Sequence, residues 1–295
     1  AVVRQLKKGT IFSLPGVLEA EVAELLVEMV PSAEMVRFGK NGTDATSAAI
    51  RIARAYTGRK HIAVCGYHGW QDWYIGSTTR DKGVPQEVSA LTHKFVYNEI
   101  TSLAEVLAKH PNQLAAVIME PMNNTWPDKG YLEAVQKVTH DAGALLVFDE
   151  TITGFRFANG GAQSLFEVTP DLSTFGKGMA NGFPLSAIVG KRDFMLEMGE
   201  IFFSGTFGGE LLSLAAAKEV LMRYKNNSIC EQLSNTGDTI IKEVDQIIKE
   251  NNLEKVLNFT GHPSWKFLNW NSSSVFSSAQ LRTFFMQEMF ANGVL

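Results

Sequence analysis

Two apolar runs with no polar residue within them, Leu114 to Met119 and Ala144 to Phe148, constrain this chain more than any other feature. A strand with one wet face alternates apolar and polar residues, whereas a strand covered on both faces reads as an unbroken apolar run. Between them lies Tyr131 to Ala142, which has helical spacing and ends at Gly143. Strand, helix and strand in that order predict an α/β fold with a mainly parallel sheet covered by helices.

The alternation extends from about residue 34 to residue 225. Met35 to Phe38 reads as a strand, and Ala45 to Tyr56 as a helix with Ala45, Ala48, Ala49, Ile52, Ala53 and Tyr56 on one face. Ile62 to Cys65 and Lys94 to Tyr97 read as further strands, and Leu103 to Ala108 as a helix. After Tyr224 the character changes. Residues 228–250 predict one long amphipathic helix, 253–275 short strands and turns, and 278–291 a final helix. These readings divide the chain into an N-terminal arm over 1–20, a large domain over 21–225, and part of a smaller α+β domain over 226–295. A length of 295 residues agrees with two domains at about 150 residues each. Both ends read as cut. There is no initiator Met, residues 1–8 resemble the tail of a helix, and 290–295 run from a helix stop into the start of a strand.

Charge and cysteine use exclude several functions. Lys and Arg number 27 against 31 Asp and Glu, a net charge of -4, which argues against a polybasic surface for nucleic acid or anionic lipid. Cys65 and Cys230 are too few for a disulfide framework and suggest a reducing compartment. No apolar run approaches the roughly 20 residues of a membrane helix, and residues 1–10 show no signal-peptide core. A soluble cytoplasmic protein is expected.

In parallel sheets ligands bind at the carboxyl ends of the strands, which directs attention to the polar residues there. Asp149 follows the second apolar run and is either a helix cap or a carboxylate at the mouth of the sheet that needs a partner. Glu120 stands at the end of the first run. Lys177, flanked by Gly176 and Gly178, is either an exposed loop lysine or an amine in an enclosed site, poised to attack a carbonyl. Gly178 stands where a Walker loop has Ser or Thr, so that phosphate loop is excluded. Asn41-Gly42-Thr43-Asp44, between a strand and a helix, reads as a plain N-cap or as a phosphate site at a helix N-terminus. Ser204 to Gly209, with Thr206, repeats the device before the helix Glu210 to Tyr224. The glycine spacings do not match a dinucleotide fingerprint in its context. Tyr67-His68-Gly69-Trp70 offers an aromatic platform for a flat ring. His61, Cys65 and His68 lack a fourth ligand, so packing is the better reading of His61 and Cys65 and no metal is expected. A flat, phosphorylated aldehyde would use the remaining features together, and pyridoxal phosphate fits that description.

These residues resemble the class III pyridoxal-phosphate aminotransferases of fold type I, and within them the glutamate-1-semialdehyde aminomutase branch. The resemblance rests on Glu34 to Ala45, Arg54 to Arg59, Tyr67-His68-Gly69, Phe148 to Arg156, Pro170 to Lys177 and Gly205-Thr206-Phe207. It implies that Lys177 forms the Schiff base with the cofactor and that Asp149 pairs with the pyridine nitrogen. It also implies that Asn41, Gly42 and Thr43 cradle the phosphate, with Tyr67 stacking on the ring and His68 and Glu120 at the cofactor. Thr206 would reach the phosphate of a neighbouring subunit, which implies a homodimer with shared sites. The expected partners are a small-molecule amino donor and acceptor. The sequence departs from the aminomutase pattern at Met122 to Trp126, over Gly76 to Asn98, and at Glu210, where relatives often carry Asn.

Overall fold

The fold is that of a computed structural model describing residues 1–294. Helices α1 (Val2–Leu6) and α2 (Val17–Met29) precede β1 (Met35–Gly39), α3 (Gly42–Thr57) and β2 (His61–Cys65). Two single turns, α4 (Asp72–Ile75) and α5 (Gln86–Ser89), lead to β3 (Thr92–Lys94) and α6 (Ile100–Lys109). Next come β4 (Leu114–Met119), α7 (Tyr131–Asp141), β5 (Leu145–Asp149), α8 (Ala162–Phe166) and β6 (Leu172–Phe175). Then β7 (Ser186–Gly190), α9 (Arg192–Met195) and α10 (Leu211–Asn226) follow. The chain ends with α11 (Ile229–Glu250), β8 (Leu257–His262), β9 (Trp265–Trp270) and α12 (Ser278–Ala291).

Seven strands form one sheet in the order β1-β7-β6-β5-β4-β2-β3. The pairings β2–β3, β2–β4, β4–β5 and β5–β6 are parallel, whereas β7 runs antiparallel to both β6 and β1. The sheet is therefore mainly parallel, as the apolar runs predict. Every residue of β4 and β5 is buried. Successive residues point to opposite faces of a pleated strand, so Ala116 and Ile118 pack under α3 with Ala45, Ala49 and Ile52. Val117 and Met119 face the other way, onto Leu103 and Val106 of α6 and Leu132 and Val135 of α7. A third cluster joins Val22 and Leu26 of α2 to Phe38, Ala187 and Val189 of the antiparallel edge and to Leu214 and Leu221 of α10.

One expectation shifts. The strand expected at Lys94 to Tyr97 pairs earlier, with Thr92 opposite Ile62. Beyond it the Tyr97 hydroxyl donates to the Pro121 carbonyl at 2.7 Å, and Asn98 turns the chain with φ 62°. Helix α2 spans residue 20, with its Val22 and Leu26 fully buried.

The chain divides into two compact units, residues 1–122 with 127–230, and residues 123–126 with 231–295. The second contains the antiparallel hairpin β8–β9 and α12, whose N-terminus is capped by Ser277, accepting from the Gln280 N–H. The Trp270 and Phe285 rings meet there at 5.1 Å. Residues 290–294 include no strand, and Leu295 lies outside the described residues. Among the described residues no helix is long and apolar enough to cross a membrane.

Candidate active site

Strands β2, β4, β5 and β6 are parallel, and two reversals through β7 return β1 to their direction, so five carboxyl ends share one edge of the sheet. There lies a cavity of about 530 Å³. Asn41, Gly42 and Thr43 enter it after β1, Tyr67 and His68 after β2, and Glu120 after β4. Asp149 enters at the end of β5 and Lys177 after β6. Eight of the nine residues singled out in the sequence thus line one space.

Asp149 is the best-held group. His68 Nδ1 lies 2.9 Å from Asp149 Oδ2, with the imidazole fully enclosed. The Thr151 N–H and the Thr174 hydroxyl donate to Oδ1 at 3.1 and 3.0 Å. His68 Nε2 faces the Cys65 carbonyl at 3.2 Å, so both acceptors are met when each ring nitrogen carries a hydrogen. Burial alone would raise the Asp149 carboxyl, but the hydrogen bond and charge of His68 and the Thr151 main-chain N–H outweigh it and hold the group below the usual carboxylate range. An anion is thereby fixed at the mouth of the sheet.

The neighbouring Glu150 turns inward, away from the cavity wall, and is fully buried. Its carboxyl accepts from the Thr153 hydroxyl, the Ala162 and Gln163 N–H groups and the Gln163 side-chain amide. Burial pushes this carboxyl above the glutamate range while those donors pull it down. The result is a clasp that closes residues 150–163 into a loop and holds Thr151 and Ile152 in the cavity wall.

At the start of α3, Asp44 accepts from the Asn41 and Lys40 N–H groups at 2.8 and 3.0 Å, which closes a capping box. Thr43 Oγ1 and Thr151 Oγ1 are buried without a hydrogen-bond partner, and both residues line the cavity. Buried hydroxyls without partners are costly. Gly69, at φ 104°, packs where a Cβ would collide with the Thr43 side chain, and a Cβ on Gly42 would meet Thr151 Cγ2 at 3.0 Å. A helix N-terminus with two waiting hydroxyls and no room for side chains matches a phosphate. The residues present therefore fit pyridoxal phosphate, with an anionic partner for a ring nitrogen, a primary amine and a phosphate cradle around one cavity.

Three placements were left open by the sequence, differ from expectation or were missed. Lys177, which the sequence leaves as either an exposed loop lysine or an amine in an enclosed site, is exposed in the single chain, on a turn with φ 39°. Thr206 lies outside the cavity, in a separate depression with Phe202, Phe203 and Phe207, so the chain does not bring it to its own Thr43. Lys40, unremarked in the sequence, lines the cavity, and its Nζ donates to the Pro184 carbonyl, Glu210 and Ser213 Oγ. Glu210 also caps α10, accepting from the Leu212 and Ser213 N–H groups. Only a lysine just ahead of the cradle could have signalled this link, since Glu210 lies 170 residues away. The sequence trio His61, Cys65 and His68 is dispersed. His61 is at the opposite end of β2 from Cys65, whose thiol burial and Glu120 push up to about 12.

Known proteins are similar to this chain in sequence and fold. The sequence profile of the class III aminotransferases matches residues 1–261. The chain is 35% identical to the 3-aminobutyryl-CoA aminotransferase of Cloacimonas acidaminovorans over all of its own length and 72% of that protein. It is 38% identical to the glutamate-1-semialdehyde 2,1-aminomutase of Halobacterium salinarum over 85% of its own length and 60% of that protein. The PLP internal aldimine form of the FumI protein of Sphingopyxis sp. MTA144 superposes with a TM-score of 0.85 at 29% identity, covering 90% of this chain and 65% of that one. The chain thus spans about three fifths to three quarters of the length of these proteins. With a profile match over most of its length and a cavity suited to the cofactor, this chain belongs to the class III aminotransferase family.

Proposed function

We propose that this chain forms the cofactor-binding part of a pyridoxal-phosphate-dependent enzyme that transfers an amino group, with Lys177 as the residue that binds the cofactor covalently. The observation that carries the reading is the convergence of Lys177, Asp149 and the unpartnered Thr43 hydroxyl on one cavity. When bound, the cofactor supplies an electron sink for the charge left on deprotonating a substrate carbon. Asp149 Oδ2, steadied by His68, holds negative charge for a ring nitrogen and favours its protonated form. Lys177 Nζ would supply the amine that binds the cofactor and a base able to move the substrate proton. The N-terminus of α3 with Thr43 and Thr151 would hold the phosphate, and Tyr67 would offer an aromatic face to the ring.

On substrate, the aminomutase relatives support transfer within one molecule. The full-length match to an aminotransferase and the departure at Met122 to Trp126 support a second reading, transfer between molecules. Incubation with glutamate 1-semialdehyde alone separates the two, because formation of 5-aminolevulinate requires the intramolecular route and its absence overturns it. Thr206, outside its own cavity, supports a homodimer in which each subunit completes the other's phosphate site. A monomer that binds the cofactor with undiminished affinity would overturn that arrangement. The cofactor assignment is tested by adding pyridoxal phosphate and reducing with borohydride. Covalent label on Lys177, lost in Lys177→Ala, is expected. Label at other lysines only, or none, refutes it.

A further inference from the structure

At the amino-terminal rim of the sheet, opposite the cavity, three imidazoles come together. His61 opens β2, His93 is the middle residue of β3, and His110 follows α6. Their placement follows from the pleat and the helix. His61 and Ala63 share a face of β2, Ala63 is paired with His93, and His93 shares its face with Phe95. Ala63 and Phe95 pack against Leu103 and Val106 of α6, and His110 lies four residues beyond Val106 on the same helical face. A register shift between His61 and Ile62 in the pairing with β4 re-aims His61 at the rim.

We propose that His61, His93 and His110 form a binding site for one divalent transition-metal ion of the zinc class. The three ligand nitrogens all lie within 4.8 Å of one another, and His61 Nδ1 is 2.8 Å from His93 Nε2. Zinc–imidazole bonds of about 2.0–2.1 Å in a tetrahedron place nitrogens about 3.4 Å apart. The three rings are stacked, with interplanar angles of 20–25°, so closing on an ion requires the side chains to turn about their χ angles as well as to shift by roughly an ångström. Metal uptake requires a lone pair on both facing nitrogens, so the hydrogen shared by His61 and His93 moves to the other nitrogen of the same ring. The rings are half-buried, so a fourth position is open to water.

The cluster contains no carboxylate, and burial, His110, Arg54 and Lys60 together disfavour positive charge at His61, so the ion must be one whose preference for imidazole nitrogen outweighs that repulsion. Magnesium and calcium, which need oxygen ligands, are disfavoured, while imidazole-binding zinc, nickel and copper are suited. Because β2 rises about 3.3 Å per residue, this rim is about 13 Å from the cavity end of the strand. The ion would tie the edge strand β3 and the end of α6 to β2.

The test uses untagged, cofactor-saturated protein in metal-free buffer. Calorimetric titration with Zn²⁺ is expected to give one equivalent bound with a Kd below about 100 µM. His93→Gln and His110→Gln should each weaken binding at least about fivefold, which corresponds to about 1 kcal/mol. His140→Gln, at a histidine paired with Asp171, should leave it unchanged. Electron paramagnetic resonance of the Cu²⁺ form of the unsubstituted protein should show three coordinating nitrogens, a readout that needs no variant to fold. Weaker zinc binding, a smaller effect in either glutamine variant, or fewer than three nitrogens overturns the proposal.

Discussion

The Glu150 clasp can be broken in graded steps. Its Oε2 accepts from the Thr153 hydroxyl and the Ala162 N–H, and its Oε1 from both nitrogens of Gln163. In Glu150→Gln one oxygen becomes an amide nitrogen. If it replaces Oε2, the Thr153 hydroxyl can turn to accept, and only the Ala162 N–H loses its acceptor. Replacing Oε1 would be worse, because the Gln163 side chain cannot flip while its oxygen accepts from the Ser32 N–H at 2.9 Å. One orphaned buried N–H costs about 1–3 kcal/mol. In Glu150→Ala the Ala162 and Gln163 N–H groups both lose their acceptor, so about 2–6 kcal/mol is expected before any cavity cost. Urea unfolding followed by circular dichroism at pH 7.5 reads the stabilities, and amide exchange over residues 161–166 reads the local loss. Because the clasp holds Thr151 and Ile152 in the cavity wall, cofactor affinity should fall in the same order, Ala below Gln. A Gln variant within about 0.5 kcal/mol of the parent, with protection at Ala162 unchanged, would refute the four-fold acceptor reasoning.

The two adjacent carboxyls should respond to acid with opposite signs. Asp149 is held below its ordinary value, so its contribution is present above about pH 4 and is lost as pH falls through the folded value. The stability gap between the parent and Asp149→Asn should shrink in acid. Glu150 is raised, so its contribution is complete below about pH 4.3 and is lost as pH rises through the folded value. The gap to Glu150→Gln should widen in acid, and gaps that move in the same direction would refute the assignment. Gly69→Ala adds a Cβ against Thr43 at a left-handed φ of 104°. It should weaken cofactor binding at least about tenfold, or about 1.4 kcal/mol, by displacing the Thr43 hydroxyl. Undiminished affinity in equilibrium dialysis would show that Thr43 is not part of the cradle.

What the sequence made legible was whatever burial writes into local composition. Strands β4 and β5 are covered on both faces, so their residues are apolar throughout, and the carboxylate that breaks such a run stands out as Asp149. The direction of a strand leaves no such mark. The antiparallel placement of β7 depends on how it pairs with β6 and β1, which periodicity does not encode. Side-chain partnerships between distant segments are equally silent. His68 reads as part of an aromatic platform, yet it is a buried ring fastened to Asp149 from 81 residues away. Glu150 is only the next acid along from Asp149 in the sequence, and its four donors emerge once the loop to Gln163 closes. His61 was assigned to packing because its neighbours in sequence could not complete a ligand set. Its companions come from β3 and the end of α6, which only the fold brings near.

The main chain at Lys177 has a consequence for what this protein can accept. A φ of 39° is uncomfortable for a lysine, and three carbonyl contacts, from Gly176 to Met179 and from Lys177 to Ala180 and Asn181, lock the bend. If Lys177 binds the cofactor as proposed, its amine would reach out from this braced main chain chiefly on the swing of its four methylenes, and a substrate would have to bring its reacting carbon within that arc.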